Sequence, residues 1–448
     1  MAITSLVVRT FLNPASPTLQ VAGNALVAVA ASNATAQPNF RYVFRVQNLA
    51  GSFNFGFFKA DPVPTFTIFA YPDVGTPNGF VHLEKALQAA FEGGFFCPIT
   101  TAYLPFNVNV YPNGTNRLNI ICQEEYGSPP TILAPTTTAT INVINGGWDQ
   151  AKYDSVNPNE YAIDGNTAAK RRLANEPITT DLVTYGVNYP RIISKQYPWS
   201  LRYFCFYTIP ALGNWRWRAR YYNTAGTILR DFIGATINEG ALTIPRLVVI
   251  PVGLAQIWSN TTIMSDGLAM NNQINTLSAN GGAIEIWVEN TSGAPLSPRA
   301  YYQIDACPVR YNAVELHWVN ENGGIDSFTF VGKNRRSANI KRQFLSRNQN
   351  GFMTKVDKEV VNAQHVFEYD LNTDWLNDDE FAYLFGAFKA RKMWLVNYGT
   401  NPIQSTATPF NPISVNVEVN SYRFFERVTD KLKSLSVRVT GATLNNNV

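Results

Sequence analysis

The stretch VELHWVNENGGIDSFTFVGKNRRSANIKRQF, residues 314–344, reads as a strand, a tight reversal, a second strand and then a run of positive charge. VELHWV and IDSFTF both carry the aromatic, β-branched and alternating character of strands. Between them Asn320-Glu321-Asn322-Gly323-Gly324 supplies residues that tolerate positive φ, so the chain can turn back on itself. Trp318, Phe328 and Phe330 are expected on a core, and Asp326 is placed to satisfy turn amides through a local side-chain bond. Asn322, Gly323, Gly324 and Asp326 are therefore structural residues in this reading.

Working outward, the same two-residue period recurs in FRYVFRV (40–46), TFTIFAY (65–71), WRWRARY (215–221), AIEIWV (283–288) and ISVNVEV (413–419). Short strands bounded by Asn, Gly, Pro and Thr clusters predict a mainly β, multidomain protein of antiparallel β-sandwiches with a few short amphipathic helices. In WRWRARY the aromatics and Arg216, Arg218 and Arg220 take opposite faces, which predicts a row of positive charge on a solvated face above a core. The apolar run at 25–31 imitates a signal peptide but lacks a basic leader, and is read as a strand.

Two helices are expected. FVHLEKALQAAF (80–91) places Phe80, Leu83, Leu87 and Phe91 on one stripe, stopped by Gly93-Gly94. NDDE (377–380) offers an N-cap with a glutamate three residues on, ahead of a stripe of Phe381, Leu384, Phe385 and Phe388 near 378–389. Its acidic first turn suits the helix dipole and needs no catalytic explanation. SPPTILAPTTT (128–138) reads as a linker or extended crossing, and the aperiodic polar stretch 148–173 as a long loop or arm. The resulting division is residues 1–135, a β-rich domain with the first helix; 136–310, a β-sandwich with the arm; and 311–448, a β-rich domain with the second helix.

Signatures of catalysis are missing: no nucleophile elbow, P-loop, dinucleotide fingerprint or zinc-protease motif occurs. The three histidines, His82 on a helix, His317 on a strand and His365 before an apolar run, share no spacing, so no metal or cofactor is expected. Glu124 and Glu125 are adjacent on a strand and face opposite ways, so they cannot form a glycosidase pair by themselves. Trp148, Trp199, Trp215, Trp217 and Trp287 are candidates for stacking sugars, with core or interface packing the competing use. Cys97, Cys122, Cys205 and Cys307 have no ligand spacing and read as buried free thiols. No run approaches the roughly 18 apolar residues of a membrane helix. With only 15% charged residues against 46% hydrophobic and 13% aromatic, much of the surface is expected to be covered by partners.

The segment from Cys307 to Phe330, with Trp318-Val319-Asn320 running into Gly323-Gly324-Ile325-Asp326, resembles a segment of virion proteins from tailed phages of Bacteroidetes, including crAss-like phages. FRYVFRV (40–46), the strand and helix at 71–91, EEYG (124–127) and WLNDDE (375–380) extend the resemblance over most of the chain; residues 141–240 carry little of it. The resemblance implies a non-enzymatic structural component of the virion, in the tail, baseplate or neck. Its partners would be other virion proteins and further copies of itself in a ring. The alternative is a carbohydrate-binding or carbohydrate-degrading β protein, such as a receptor-binding component of a phage.

The basic run holds Lys333, Arg335, Arg336, Lys341, Arg342 and Arg347, with no acid from 333 to 347. A solvated edge that resists aggregation, a docking surface for an acidic neighbour and contact with DNA compete to explain it. Direct DNA contact is not expected of a chain whose net charge is only +4. For docking, the acidic segment containing Asp374, Asp378 and Asp379 is the expected counterpart in a repeated subunit.

Overall fold

The computed structural model describes residues 3–10, 19–24, 26–48, 54–60, 78–92, 109–111, 115–165, 172–175, 179–181, 191–196, 200–209, 213–238, 245–254, 281–305, 313–348, 356–390, 392–397, 412–427, 432–441 and 444–447. The fold is mainly β, with several antiparallel sheets and short helices. The N-terminal part carries β1 (Ile3–Thr10), β2 (Leu19–Val21), β3 (Leu26–Ser32), β4 (Arg41–Asn48), β5 (Asn54–Ala60), β6 (Asn78–His82), α1 (Glu84–Glu92), β7 (Asn109–Tyr111), β8 (Thr115–Tyr126) and β9 (Thr131–Ile144). Next come α2 (Gln150–Ser155), a 3-10 turn (Pro158–Tyr161), β10 (Ala162–Ile163), β11 (Thr179–Asp181), β12 (Arg191–Gln196), β13 (Tyr203–Thr208), β14 (Asn214–Tyr222), β15 (Ile228–Ile233), β16 (Ile237–Asn238), β17 (Arg246–Pro251), β18 (Gly282–Asn290) and β19 (Arg299–Ile304). The C-terminal part holds β20 (Val314–Val319), β21 (Ile325–Phe330), β22 (Arg335–Asn348), β23 (Val356–Asn372), α3 (Asp378–Phe388), β24 (Met393–Asn397), β25 (Ile413–Arg427), β26 (Leu432–Gly441) and β27 (Leu444–Asn447).

A five-stranded sheet in the order β2-β9-β8-β4-β5 shares a core with the sheet β1-β3-β6 and with α1. The sheet β10-β13-β17-β7 shares a second core with β11-β12-β19-β18-β14-β15, which β16 extends along β14. The largest sheet, β21-β20-β24-β25-β26-β23-β22 with β27 beside β23, packs its core against α3. Among the described residues three pairings are parallel, β2 with β9, β10 with β13 and β12 with β19, where the sequence predicted antiparallel partners throughout. Each joins segments far apart along the chain, which no local pattern encodes.

What binds the sheets together is β13. All six of its residues, YFCFYT, are buried. Phe204 and Phe206 enter the core with Trp215 and Trp217, while Tyr203, Cys205 and Tyr207 face a further core containing Val21, Ile144, Trp148, Val319 and Trp394. A strand covered on both faces reads as a continuous apolar run instead of an alternating one. The expected boundary at 135/136 falls inside β9, and residues from both sides of 310/311 meet in this shared core.

Local expectations fared unevenly. Residues 80–82 belong to β6, with Phe80 opposite Val29 and His82 opposite Val27, so the helix begins only at Glu84 and His82 is a strand residue. Leu83, Leu87 and Phe91 do form its buried stripe. The capping box of Asn377 and Glu380 starts α3, yet the side chains it buries are Tyr383, Leu384 and Ala387, and Phe385 is exposed. The Pro/Thr-rich segment is no linker, since β9 pairs along β8, where its β-branched threonines suit the ladder. The expected arm is folded against the protein, with Trp148, Tyr161 and Leu173 buried. TFTIFAY at 65–71, Gly93-Gly94, Trp199, Cys97 and Cys307 lie outside the described residues; Cys122 and Cys205 are buried free thiols.

The reversal between β20 and β21 sits where these parts meet. Asn320 Oδ1 accepts from the amides of Asn322 and Gly324, each at 2.9 Å, so Asn320 holds the turn, the task expected of Asp326. Asp326 instead accepts from the side-chain amides of Asn320 at 2.7 Å and Asn175 at 3.1 Å. The Asn322 side-chain oxygen accepts from Trp148 Nε1 at 3.0 Å and Lys152 Nζ at 2.8 Å, and its carbonyl from the Tyr207 hydroxyl at 2.6 Å. Lys152 also pairs with Glu321, whose carbonyl accepts from the Gly147 amide at 2.8 Å.

Within the Asn320–Gly324 turn only Gly323 has a positive φ, at 80°. Gly324 lacks one, and is required for space: a Cβ there would overlap the Ala174 backbone, as one at Gly323 would overlap the Asn145 carbonyl. Gly323→Val therefore adds left-handed strain to a steric overlap and is expected to destabilise the protein by at least about 1–3 kcal/mol. Gly324→Val should destabilise through overlap alone. Thermal unfolding checks both, and unchanged midpoints would contradict this packing of the turn.

Candidate interaction surface

After β21 the chain is clamped before it enters the basic run. Gly332 donates its amide to the Asn372 carbonyl at 2.9 Å, Asn372 donates to Asn334 Oδ1 at 2.9 Å, and the Asn372 side-chain amide donates to the Lys333 carbonyl at 2.7 Å. From this root β22 runs antiparallel to β23, from Arg335 opposite Asp370 to Asn348 opposite Val356, with a register shift at Gln343/Phe344. β22 is the last strand of its sheet. On its far side β23 meets β26 only over Glu368–Asn372 and β27 only over Asn362–His365. Beyond Asn362, toward the tip, the described residues place only these two strands side by side.

Residues 335–340 are all exposed, as are Arg342 and Gln343. Exposure at consecutive positions means that both faces of β22 look outward here, while its partner β23 buries Tyr369 and Leu371 in the core of the sheet. Ile340 is 54% exposed among the charges. Arg336 is partly engaged within the chain, its guanidinium 3.9 Å from the Phe367 ring centre and 5.7 Å from that of Tyr369. Lys333, Arg335 and Arg342 are exposed; Lys341 and Arg347 lie on β22, with side chains outside the described ones.

The expected acidic counterparts are close in sequence and separate in setting. Asp374 and Asp379 are exposed, and Asp374 Oδ1 accepts from the Trp375 amide at 2.9 Å. Asp378 pairs with Lys433 at 3.0 Å while remaining 65% exposed. Lys433 also lies 5.1 Å from the ring centre of Phe381 on α3.

The cations of β14 are neutralised within the chain. The row Arg216, Arg218 and Arg220 exists as expected, but it lies against acids the sequence reading overlooked. Arg216 pairs with buried Glu289 at 2.8 Å, Arg218 and Arg220 share Asp231 at 2.6 and 3.0 Å, and Arg299 meets buried Glu285 at 3.3 Å. Hydrogen bonding to Arg218, against a smaller opposing effect of burial, lowers the Asp231 carboxyl below its usual range. Trp287 lies beneath this layer, 4.3 Å from Arg299 and 5.2 Å from Arg220. The signal was present in AIEIWVE (283–289), since its two-residue period sets Glu285, Trp287 and Glu289 opposite the arginines. Trp148, Trp215, Trp217 and Trp287 are all buried, which corrects their candidacy as exposed sugar platforms. Glu124 accepts from Ser32 at 2.5 Å and Glu125 pairs with Lys59 at 2.7 Å, so the two serve different contacts.

One further cluster was missed. Glu315 accepts from Arg202 Nη1 at 2.6 Å, the Thr329 hydroxyl at 2.9 Å, the Leu201 amide at 3.0 Å and His317 Nε2 at 2.9 Å. Arg202 Nη1 also reaches the Leu201 carbonyl and Ser327 Oγ, both at 2.8 Å. All of these groups are buried, so the cluster is a satisfied ion pair sealed between β20–β21 and the entry to β13. Burial raises the Glu315 carboxyl, but the Arg202 charge and the bond from His317 outweigh it and hold it well below the usual carboxylate range. Burial lowers His317 against the opposing pull of Glu315. Its Nδ1 meets no hydrogen-bond partner, which fits a neutral ring donating through Nε2. No protein-family model matches the sequence, and no curated protein matches it.

Both titrating groups of this cluster have folded pKa values below their unfolded ones, so at lower pH the unfolded chain binds the extra protons. Their stabilisation is fully present above about pH 6.5 and is lost on acidification, first through His317 below about 6.5 and then through Glu315 below about 4.3. The thermal midpoint is expected to fall between about pH 6.5 and 5, and His317→Gln should flatten that limb. An unaltered limb in the variant would assign it to other groups.

Proposed function

We propose that this chain is a non-enzymatic structural subunit of a tailed-phage virion, acting in the tail, baseplate or neck as an adaptor between components and assembling as a ring of copies. The single observation that carries this reading is β22, an edge strand that presents cations and an apolar residue outward from Arg335 to Gln343 and continues beyond them as a two-stranded ribbon with β23. A two-stranded ribbon is marginally stable in water unless something covers it. An edge strand of this length invites pairing unless charge protects it or a partner occupies it. The resemblance carried by Trp318-Val319-Asn320, Gly323-Gly324-Ile325-Asp326 and the WLNDDE segment supports the virion as the setting. Other virion proteins are then the partners, and the exposed cations orient and accelerate docking to an acidic surface. The carbohydrate alternative draws no support from Trp148, Trp215, Trp217 and Trp287, which are buried.

Arg335→Glu with Arg342→Glu is expected to leave the thermal midpoint within the equivalent of about 0.5 kcal/mol, as surface changes do, while reducing incorporation into particles. Quantitative mass spectrometry of purified particles measures incorporation. Cryo-EM of the particle should place these side chains against protein at a fixed small copy number. Side chains lying in open solvent or along packaged DNA would defeat the reading, as would polysaccharide hydrolysis lost on changing Glu124 or Glu125.

A further inference from the structure

Resting on the structural reading above, we propose that the ribbon of one copy docks head-to-tail on the outer face of α3 in a second copy. α3 is apolar on two sides. Tyr383, Leu384 and Ala387 face inward, while Phe385 is 37% exposed between Phe381 and Phe388, at ring-centre distances of 6.3 and 5.6 Å. Trp375, two residues before the N-cap, is 47% exposed, which extends the aromatic surface beyond the helix. From Asp370 to Phe388 the chain has five acids and no Lys or Arg, of which Asp370 pairs with Arg438 and Asp378 with Lys433 while Asp374 and Asp379 are exposed; from Lys333 to Arg347 it has six cations and no acid. The two surfaces match in sign, and Ile340 offers an apolar contact for the exposed rings.

The same chain cannot make this contact along the ribbon's length. β22 starts opposite Asp370, near the end of β23 that leads into α3, and Arg342 stands opposite Ala363, seven residues further out, or about 24 Å at a strand's rise per residue. Antiparallel pairing of two β22 edges would bring cations against cations, which disfavours a twofold contact. A contact between different surfaces is heterologous, and its repetition closes a ring or extends a filament.

The test is sedimentation velocity of the purified full chain over a range of concentrations. Self-association is expected, weakening as salt rises from about 0.1 to about 1 M and the screening length shortens from about 10 to about 3 Å. Ile340→Asp with Arg342→Glu, and separately Asp374→Lys with Asp379→Lys, should each weaken association by about tenfold or more, with circular dichroism and thermal midpoint confirming the fold. Mixing the two charge-altered chains should restore association, because each then meets an opposite surface. Phe385→Ser should weaken association without altering its salt dependence, which keeps the proposal testable where a charge variant fails to fold. A chain that stays monomeric at every concentration, or variants that associate as the unaltered chain does, would overturn the head-to-tail contact. Monomeric chains that still enter particles would overturn it while leaving the structural role intact; self-association without incorporation would overturn that role alone.

Discussion

Between Asn320 and Gly324 the backbone passes against the carbonyls of Asn145 and Ala174 with no room for a Cβ, and polar groups of the turn are met from other parts of the chain. An ordinary hairpin turn sits in water, which satisfies its amides. Here water is replaced by Trp148, Lys152, Ala174, Asn175 and Tyr207, so the turn is stable only when the surrounding segments are folded around it. The shared core around β13 depends on this arrangement, because Val319 and Ile325 flank the turn and enter that core.

Further along β20 and β21 the Arg202–Glu315 pair obeys the same rule with full charges. Burial of such a pair adds little net stability by itself, yet removing one partner leaves an uncompensated charge at a cost of about 3–5 kcal/mol. The cluster thus tolerates one alignment of β20–β21 against the entry to β13 and penalises others. The arginine layer over Trp287 is a looser version at the protein's edge, where Glu285, Glu289 and Asp231 take up the charge of Arg216, Arg218, Arg220 and Arg299.

Against that internal neutrality the ribbon stands out. Among the described residues Arg335 and Arg342 are exposed on β22, while Arg336 packs against Phe367. Charge left outward on a projecting strand is inexpensive in water and becomes useful at an interface, where it guides approach and excludes like-charged partners. In the assembly proposed above, the same segment would protect the free protein from edge pairing and supply the docking surface.

The local features came from sequence alone. The Asn-Gly-Gly reversal, the paired strands beside it, the capping box of Asn377 and Glu380 and the aromatic–arginine alternation of WRWRARY are each set by residues within a few positions of one another, through φ preference, side-chain period and backbone capping. Contacts across long separations decided the rest. Residues 80–82 carry a helical stripe but pair with β3, and the threonines of 131–138 look like a linker but have β8 beside them. β13 gave no period to read because both its faces are covered by segments drawn from three parts of the chain. Gly324 and Asp326 could be assigned to a turn from their neighbours, while the Ala174 backbone and the Asn175 amide that determine their roles lie some 150 residues away. A side chain's spacing reports which face it shares, and only the folded chain sets what stands opposite that face.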